Sequence, residues 1–177
     1  RFIDSRPPVE LVCDLALGDS FSVRIAGNVA KEKALASMEY ACAVAGAKLV
    51  AVLGHTQCGA VGAALDLFIS GESVLEATGC EHLDVLTREI QKSIPSSDRA
   101  SLAKLSGAEK SHFANEVAKH NVMRTVRYIR SESHTLNELE KNGTIAIIGG
   151  LHDIRSGQVE FFGGLETLAR RTTGIDS

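Results

Sequence analysis

Apolar runs and helical periods alternate along the chain, and this pattern predicts an α/β fold. Leu49, Val50, Ala51, Val52 and Leu53 form a continuous apolar run, which fits a strand buried on both faces. Upstream, residues 21–27 predict a short strand closed by Gly27. Residues 32–45 carry Ala36, Tyr40 and Val44 at a helical period, with Gly46 as the stop. Residues 58–69 predict the next helix. Gly59, Ala60, Gly62, Ala63 and Ala64 on its early turns are small enough to pack close to a sheet. Two amphipathic helices follow at 81–93 and 112–131, divided by a polar stretch at 95–107. Residues 133–141 predict a short helix with Ser133 as its cap and Asn142-Gly143 as its end. Residues 144–148 read as a second buried strand and 158–162 as an edge strand. Strands alternating with helices imply a mostly parallel central sheet flanked by helices.

Composition narrows the class. A chain of 177 residues can bury one proper core and is too short for two large ones, so residues 1–177 are read as a single domain. Hydrophobic content of 44% with 23% charged residues is ordinary for a globular protein. A net charge of −3 leaves no strongly basic face, so nucleic acid is not expected as a partner. No apolar run approaches the roughly 20 residues of a membrane span. The chain opens at Arg1 directly in apparent fold, without a signal peptide, and is expected to be a processed or excised form in the cytoplasm. Cys13, Cys42, Cys58 and Cys80 are irregularly spaced, which argues against a disulfide scaffold. Cys13 and Cys42 read as small buried hydrophobes, and Cys80 as a bystander.

Chemistry concentrates where the apolar run 49–53 ends. His55 and Cys58 sit together in Gly54-His55-Thr56-Gln57-Cys58-Gly59. Both are zinc-ligand types, and strand ends in α/β proteins are where ligands bind. Taken singly, His55 is more often a hydrogen-bonded structural histidine and Cys58 a buried thiol at a helix start. Asp4 and Arg6 would be an ion pair of small worth if exposed, and Arg24 a surface residue.

The order of several stretches changes that reading. Asp4-Ser5-Arg6, Gly18-Asp19-Ser20-Phe21, Arg24-Ile25-Ala26-Gly27-Asn28, Glu39-Tyr40-Ala41, the 54–59 stretch and Gly149-Gly150-Leu151-His152-Asp153 together resemble a β-class carbonic anhydrase. That family's pattern runs C-x-D-x-R, R-x-A-G-N, G-H-x-x-C-G and a later glycine pair followed by Y-D. The resemblance implies a Zn2+ cofactor held by two cysteines and a histidine, with solvent in the fourth position. It implies reversible hydration of carbon dioxide to bicarbonate, since zinc lowers the pKa of a bound water to about 7. By resemblance His55 and Cys58 are metal ligands. Asp4 and Arg6 are the catalytic pair, with Asp4 accepting a hydrogen bond at the metal or moving onto it. Gly59 and Arg24 map to substrate-binding positions, Arg24 at a bicarbonate pocket found in a subset of the family. A homodimer or higher homo-oligomer is implied, because the family builds its sites at a subunit interface with N-terminal helices that this string lacks.

Two positions depart from the pattern. The first ligand cysteine should stand at position 2, which is Phe2; phenylalanine cannot coordinate a metal. Three readings are open: a module with weak or no zinc, acting in bicarbonate binding or assembly; an altered site of Asp4, His55 and Cys58; or a modified cysteine between Phe2 and Ile3 that the letters omit. His152 replaces the usual tyrosine and is read as structural. His82, His112, His120 and His134 lie on predicted helices and read as solvated or capping.

Overall fold

The computed structural model describes residues 8–95 and 98–163. Asp4, Arg6 and Phe2 lie outside the described residues. The described chain runs α1 (Val9–Cys13), a 3-10 turn (Ala26–Asn28), α2 (Glu32–Glu39) continued by a π turn (Tyr40–Val44), β1 (Leu49–His55) and α3 (Gly59–Ser70). It continues through α4 (Val74–Thr78), α5 (Leu83–Gln91), α6 (Arg99–Leu102), α7 (Gly107–Glu132), α8 (His134–Lys141), β2 (Ala146–His152) and β3 (Val159–Phe162).

The strands form a small central sheet in the order β1-β2-β3. β1 and β2 run parallel, in a register that opposes Leu49 to Ala146 and His55 to His152. β3 returns antiparallel along Gly149–His152. Between β1 and β2 the chain makes its crossover through the six described helices α3 to α8, as a parallel pair requires. The longest of them, α7, lies across both β1 and β2. Its start is set by a capping box: the Ser106 hydroxyl accepts from the Glu109 amide, and the Glu109 carboxylate accepts from the Ser106 amide.

Two clusters make the core. One joins Val50 and Val52 of β1 and Ile147 of β2 to Val122, Val126 and Ile129 of α7. The other packs Ala60, Val61 and Ala64 of α3 against Ile90 of α5 and Val117 of α7. Ala60 and Ala64 thus bring α3 close to two helices, α5 and α7, rather than to the sheet as expected. Val122 is wedged between two strands at glycines. A Cβ on Gly54 would stand 2.6 Å from Val122 Cγ2, and one on Gly149 would stand 2.9 Å from Val122 Cγ1. Both distances lie inside van der Waals contact.

The structure corrects several expectations. β1 is not buried on both faces: burial alternates along it, with Leu49 46% exposed. The alternate positions Val50 and Val52 meet α7, and the other face has no described element covering Leu49 and Ala51. Residues 21–25 form no strand; they are irregular, exposed and lead into the 3-10 turn, where Gly27 takes a φ of 66°. Cys13 is exposed rather than buried, whereas Cys42 is buried as expected. Helices α1, α4 and α6 are too short for a periodicity to announce them.

One polar cluster ties α5 to its surroundings. Glu89 accepts from Lys92 at 2.7 Å, Lys31 at 3.1 Å and Arg124 of α7 at 3.1 Å. Partial burial pushes this carboxyl upward, but the hydrogen bonds from Lys92, Lys31 and Arg124 outweigh it and hold the pKa at about 2, against 4.5 ordinarily. A depressed carboxylate contributes stability that is complete above its unfolded pKa and is lost as pH falls through the folded one. Acid titration of stability should therefore show a loss between pH 4.5 and about 2, and Glu89→Gln should flatten that part of the curve in urea unfolding. The glycine contact makes a second prediction. Gly54→Ala should destabilise the fold by about 1–3 kcal/mol through overpacking against Val122, read as a lower urea midpoint at unchanged slope.

Candidate metal and active site

His55 is the last residue of β1, and Cys58 is the N-cap of α3. A strand end and a helix start thus bring the two predicted ligands to one place. The link between them is a tight turn in which Gln57 has a φ of 53°. A left-handed backbone at a non-glycine residue costs about 1–2 kcal/mol, so the turn needs support from outside.

The imidazole and the thiol are hydrogen bonded to each other. Burial raises the Cys58 pKa, but the His55 hydrogen bond, the amides of Val61 and Ala60 and the His55 charge outweigh it, so the thiol titrates below its ordinary value. The open amides and dipole of a helix N-terminus favour a thiolate at this position. His55 Nδ1 lies 3.0 Å from the Thr56 carbonyl oxygen. That carbonyl can only accept, which assigns a proton to Nδ1 and leaves Nε2 as the ring nitrogen for a ligand role. Fixing one ring nitrogen on a carbonyl is how metal-binding histidines are commonly oriented.

Behind the pair lies a cavity lined by Gly27, Asn28, Gly54, His55, Cys58 and Asn121, among others, with room of about 10 Å³. That is about the space of one water molecule. α7 supplies its polar wall. Asn121, 2% exposed, donates through Nδ2 to the Gly27 carbonyl and accepts from the Ser93 hydroxyl at 3.0 Å. Thr125 donates to the Asn28 carbonyl at 3.0 Å. The Ala26–Asn28 turn is held against the site by these two bonds.

The sequence-predicted residues divide accordingly. His55 and Cys58 come together, and Gly59 opens α3 beside them. Arg24 is exposed on the irregular segment before the 3-10 turn and does not line this cavity. Asp4 and Arg6 lie outside the described residues. Asn121, Asn115, Thr125 and Ser93 were not singled out from sequence, because lone polar residues on helices carry no spacing that marks them. His55 and Cys58 are donors that zinc takes, already converging, and their chemistry fits that ion. Among the described residues no third His, Cys, Asp or Glu joins them as a metal-holding group.

These features define an α/β protein whose candidate centre is an imidazole and a depressed thiol at a strand end. The family profile described as "Carbonic anhydrase" matches residues 3–159. Carbonic anhydrase 2 of Mycobacterium tuberculosis is 34% identical over 155 residues, covering 88% of this chain and 68% of that protein. A carbonic anhydrase of Mycolicibacterium smegmatis is 34% identical over 157 residues, with 89% and 69% covered. Among solved structures, the β-carbonic anhydrase CafA of Aspergillus fumigatus superposes with a TM-score of 0.71 at 26% identity, covering 98% of this chain and 79% of that one. One described as a tetrameric β-carbonic anhydrase of Sordaria macrospora gives 0.73 at 21% identity, covering 90% and 76%. The chain belongs to the carbonic anhydrase family, in its β class, and so to a family of lyases.

The depressed thiol makes a prediction for the metal-free protein. Alkylation of Cys58 by iodoacetamide, followed by peptide mass spectrometry against pH, should show a midpoint below that of an ordinary thiol. His55→Ala should move the midpoint upward, because it removes both the hydrogen bond and the charge that lower it. An unchanged midpoint in that variant would refute the coupling.

Proposed function

We propose that this chain interconverts carbon dioxide and bicarbonate with a Zn2+ held by His55 and Cys58. The observation that carries this is the hydrogen-bonded His55–Cys58 pair at the β1 end of a chain in the carbonic anhydrase family. When bound, zinc supplies a Lewis acid that makes water nucleophilic near neutral pH. The chain's own part is to keep Cys58 near its thiolate form, to aim Nε2 of His55 by the bond at Nδ1, and to restrict the space behind the pair. Asp4 is assigned to accept a hydrogen bond at the site or to serve as a further donor, and Arg6 to keep Asp4 ionised. Gly59 and Arg24 are assigned to substrate, Arg24 at a separate anion position. We further propose a homo-oligomer. This is supported by exposed apolar side chains on the first half of the chain, among them Leu17 (95% exposed), Phe21 and Val44. The likeness to a tetrameric relative supports it also.

Phe2 motivates a second reading, a carbonic anhydrase-like module with weak or no zinc that binds bicarbonate or mediates assembly. Native mass spectrometry, which reports zinc and subunit number in one sample, combined with stopped-flow hydration of carbon dioxide separates the two. The first reading expects one zinc per subunit in an oligomer, and turnover above buffer. His55→Ala and Cys58→Ser should each cut that turnover by more than about 100-fold, the upper range for loss of a mere outer partner. A zinc-loaded chain no faster than buffer sinks the first reading. The second expects substoichiometric zinc that Phe2→Cys restores together with turnover, and it fails if the unaltered chain already holds one tight zinc per subunit.

A further inference from the structure

The turn that carries both ligands is held from outside by the connection between β2 and β3. Thr56 donates its hydroxyl to Asp153 Oδ1 at 3.2 Å and accepts at the same oxygen from the Ile154 amide at 3.1 Å. The Thr56 amide donates to the His152 carbonyl at 2.9 Å. Asp153 is itself fixed, since its carboxylate accepts from the Arg155 amide and the Ser156 hydroxyl, each at 3.0 Å. Gln57 is held twice. Its amide N–H donates to Asn115 Oδ1 of α7 at 2.9 Å. Its side-chain amide, oriented by its hydrogen bonding, turns its oxygen to Arg155 and accepts from Nη2 and Nε, each at 3.1 Å.

Gln57 is also the residue with the left-handed backbone. A strained conformation at a site persists where its surroundings over-determine it. Here the surroundings are a guanidinium, a carboxylate and a carboxamide drawn from two elements outside the β1–α3 connection. Arg155 is exposed and Asn115 partly so. Core packing therefore does not explain the Arg155 bond, since neither partner is buried by it.

We infer that Arg155, with Asp153, is a positioning residue: it holds the His55-Thr56-Gln57-Cys58 turn in its strained form and so sets the separation of the imidazole and thiol. Without Arg155, Gln57 relaxes toward an ordinary backbone, Cys58 leaves its place at the α3 start, and the pair no longer converges. In the family reading of the site this means an outer support for two ligands, and such supports typically change metal affinity by about 10–100-fold. The metal consequence rests on the proposed zinc function; the effect on the turn does not.

Two readouts keep these apart. Hydrogen exchange of the full-length, metal-free chain reports the turn itself. Arg155→Ala should speed exchange at the Gln57 amide while the β1 and β2 amides keep their protection, and Arg155→Lys should recover part of the loss. Zinc affinity, measured by competition with a chromophoric chelator, should fall by about 10-fold in Arg155→Ala. Gln57→Gly supplies the decisive background, because glycine adopts a positive φ without strain. In Gln57→Gly the further change Arg155→Ala should alter zinc affinity by less than about 2-fold, a non-additivity that a general loss of stability would not produce. Unchanged Gln57 exchange in Arg155→Ala, or an equal affinity loss in both backgrounds, overturns the inference. If the unaltered chain binds no zinc, the zinc function fails while the exchange measurement still decides the role of Arg155. Should Arg155→Ala lose protection throughout β1 and β2, Asp153→Asn is the variant read, and unchanged Thr56 and Gln57 exchange there overturns the inference equally.

Discussion

Val122 fits between Gly54 and Gly149, and most of the site depends on that contact. The two glycines stand on adjacent parallel strands, and neither leaves room for a Cβ beside the Val122 methyls. Their absence of side chains lets α7 lie close against the sheet. Interiors are packed to near-crystalline density, so a methyl group added there cannot be absorbed without movement. Once α7 is seated, its residues before and after Val122 face the site at fixed heights: Asn115 at the turn, Ala118 and Asn121 at the cavity, Thr125 at the Asn28 carbonyl. One helix thereby positions the β1–α3 turn and the Ala26–Asn28 turn together.

The two proposed ligands are set in place by different forces. His55 is placed by strand pairing, since its height along the sheet follows from the register with His152. Cys58 is placed by the start of a helix whose first-turn amides favour negative charge. Burial works against that charge, and by itself would make the thiol harder to ionise. The hydrogen bond from His55 and the helix amides decide the balance the other way. Cys42 shows the opposite outcome. Its burial is offset only by the charge of Lys48, and its thiol is pushed up. The same residue type is thus inert in one place and poised in another because of what surrounds the sulfur.

Much of this was legible in the sequence where local chemistry dictated it. The Cys58–Gly59 helix start, the Ser133 cap and the Asn142-Gly143 stop follow from residue types whose backbone roles are narrow, and each stands where expected. The His55–Cys58 pair was legible because its spacing is short and its motif sits at an apolar strand. Residues 21–27 read as a strand because the alternating apolar side chains of 21–25 satisfy the pattern, yet a strand also needs a partner, which a pattern cannot supply. Both faces of β1 looked buried for the same reason: Leu49 and Ala51 are apolar, but among the described elements nothing covers them. The supports of the turn were out of reach altogether. Thr56 and Asp153 are 97 residues apart, and Gln57 and Asn115 are 58 apart, so their meeting is a product of the crossover.

The His55–Cys58 turn is held by contacts from α7 and from the β2–β3 turn. A preorganised pair contributes to metal binding without having to be ordered at the moment of binding, so its rigidity lowers the entropy cost of every further ligand. A carboxylate and solvent can complete a zinc centre that an imidazole and a thiolate begin. The left-handed Gln57 is kept in place by the Asn115 and Arg155 side chains, while Asp153 holds the neighbouring Thr56.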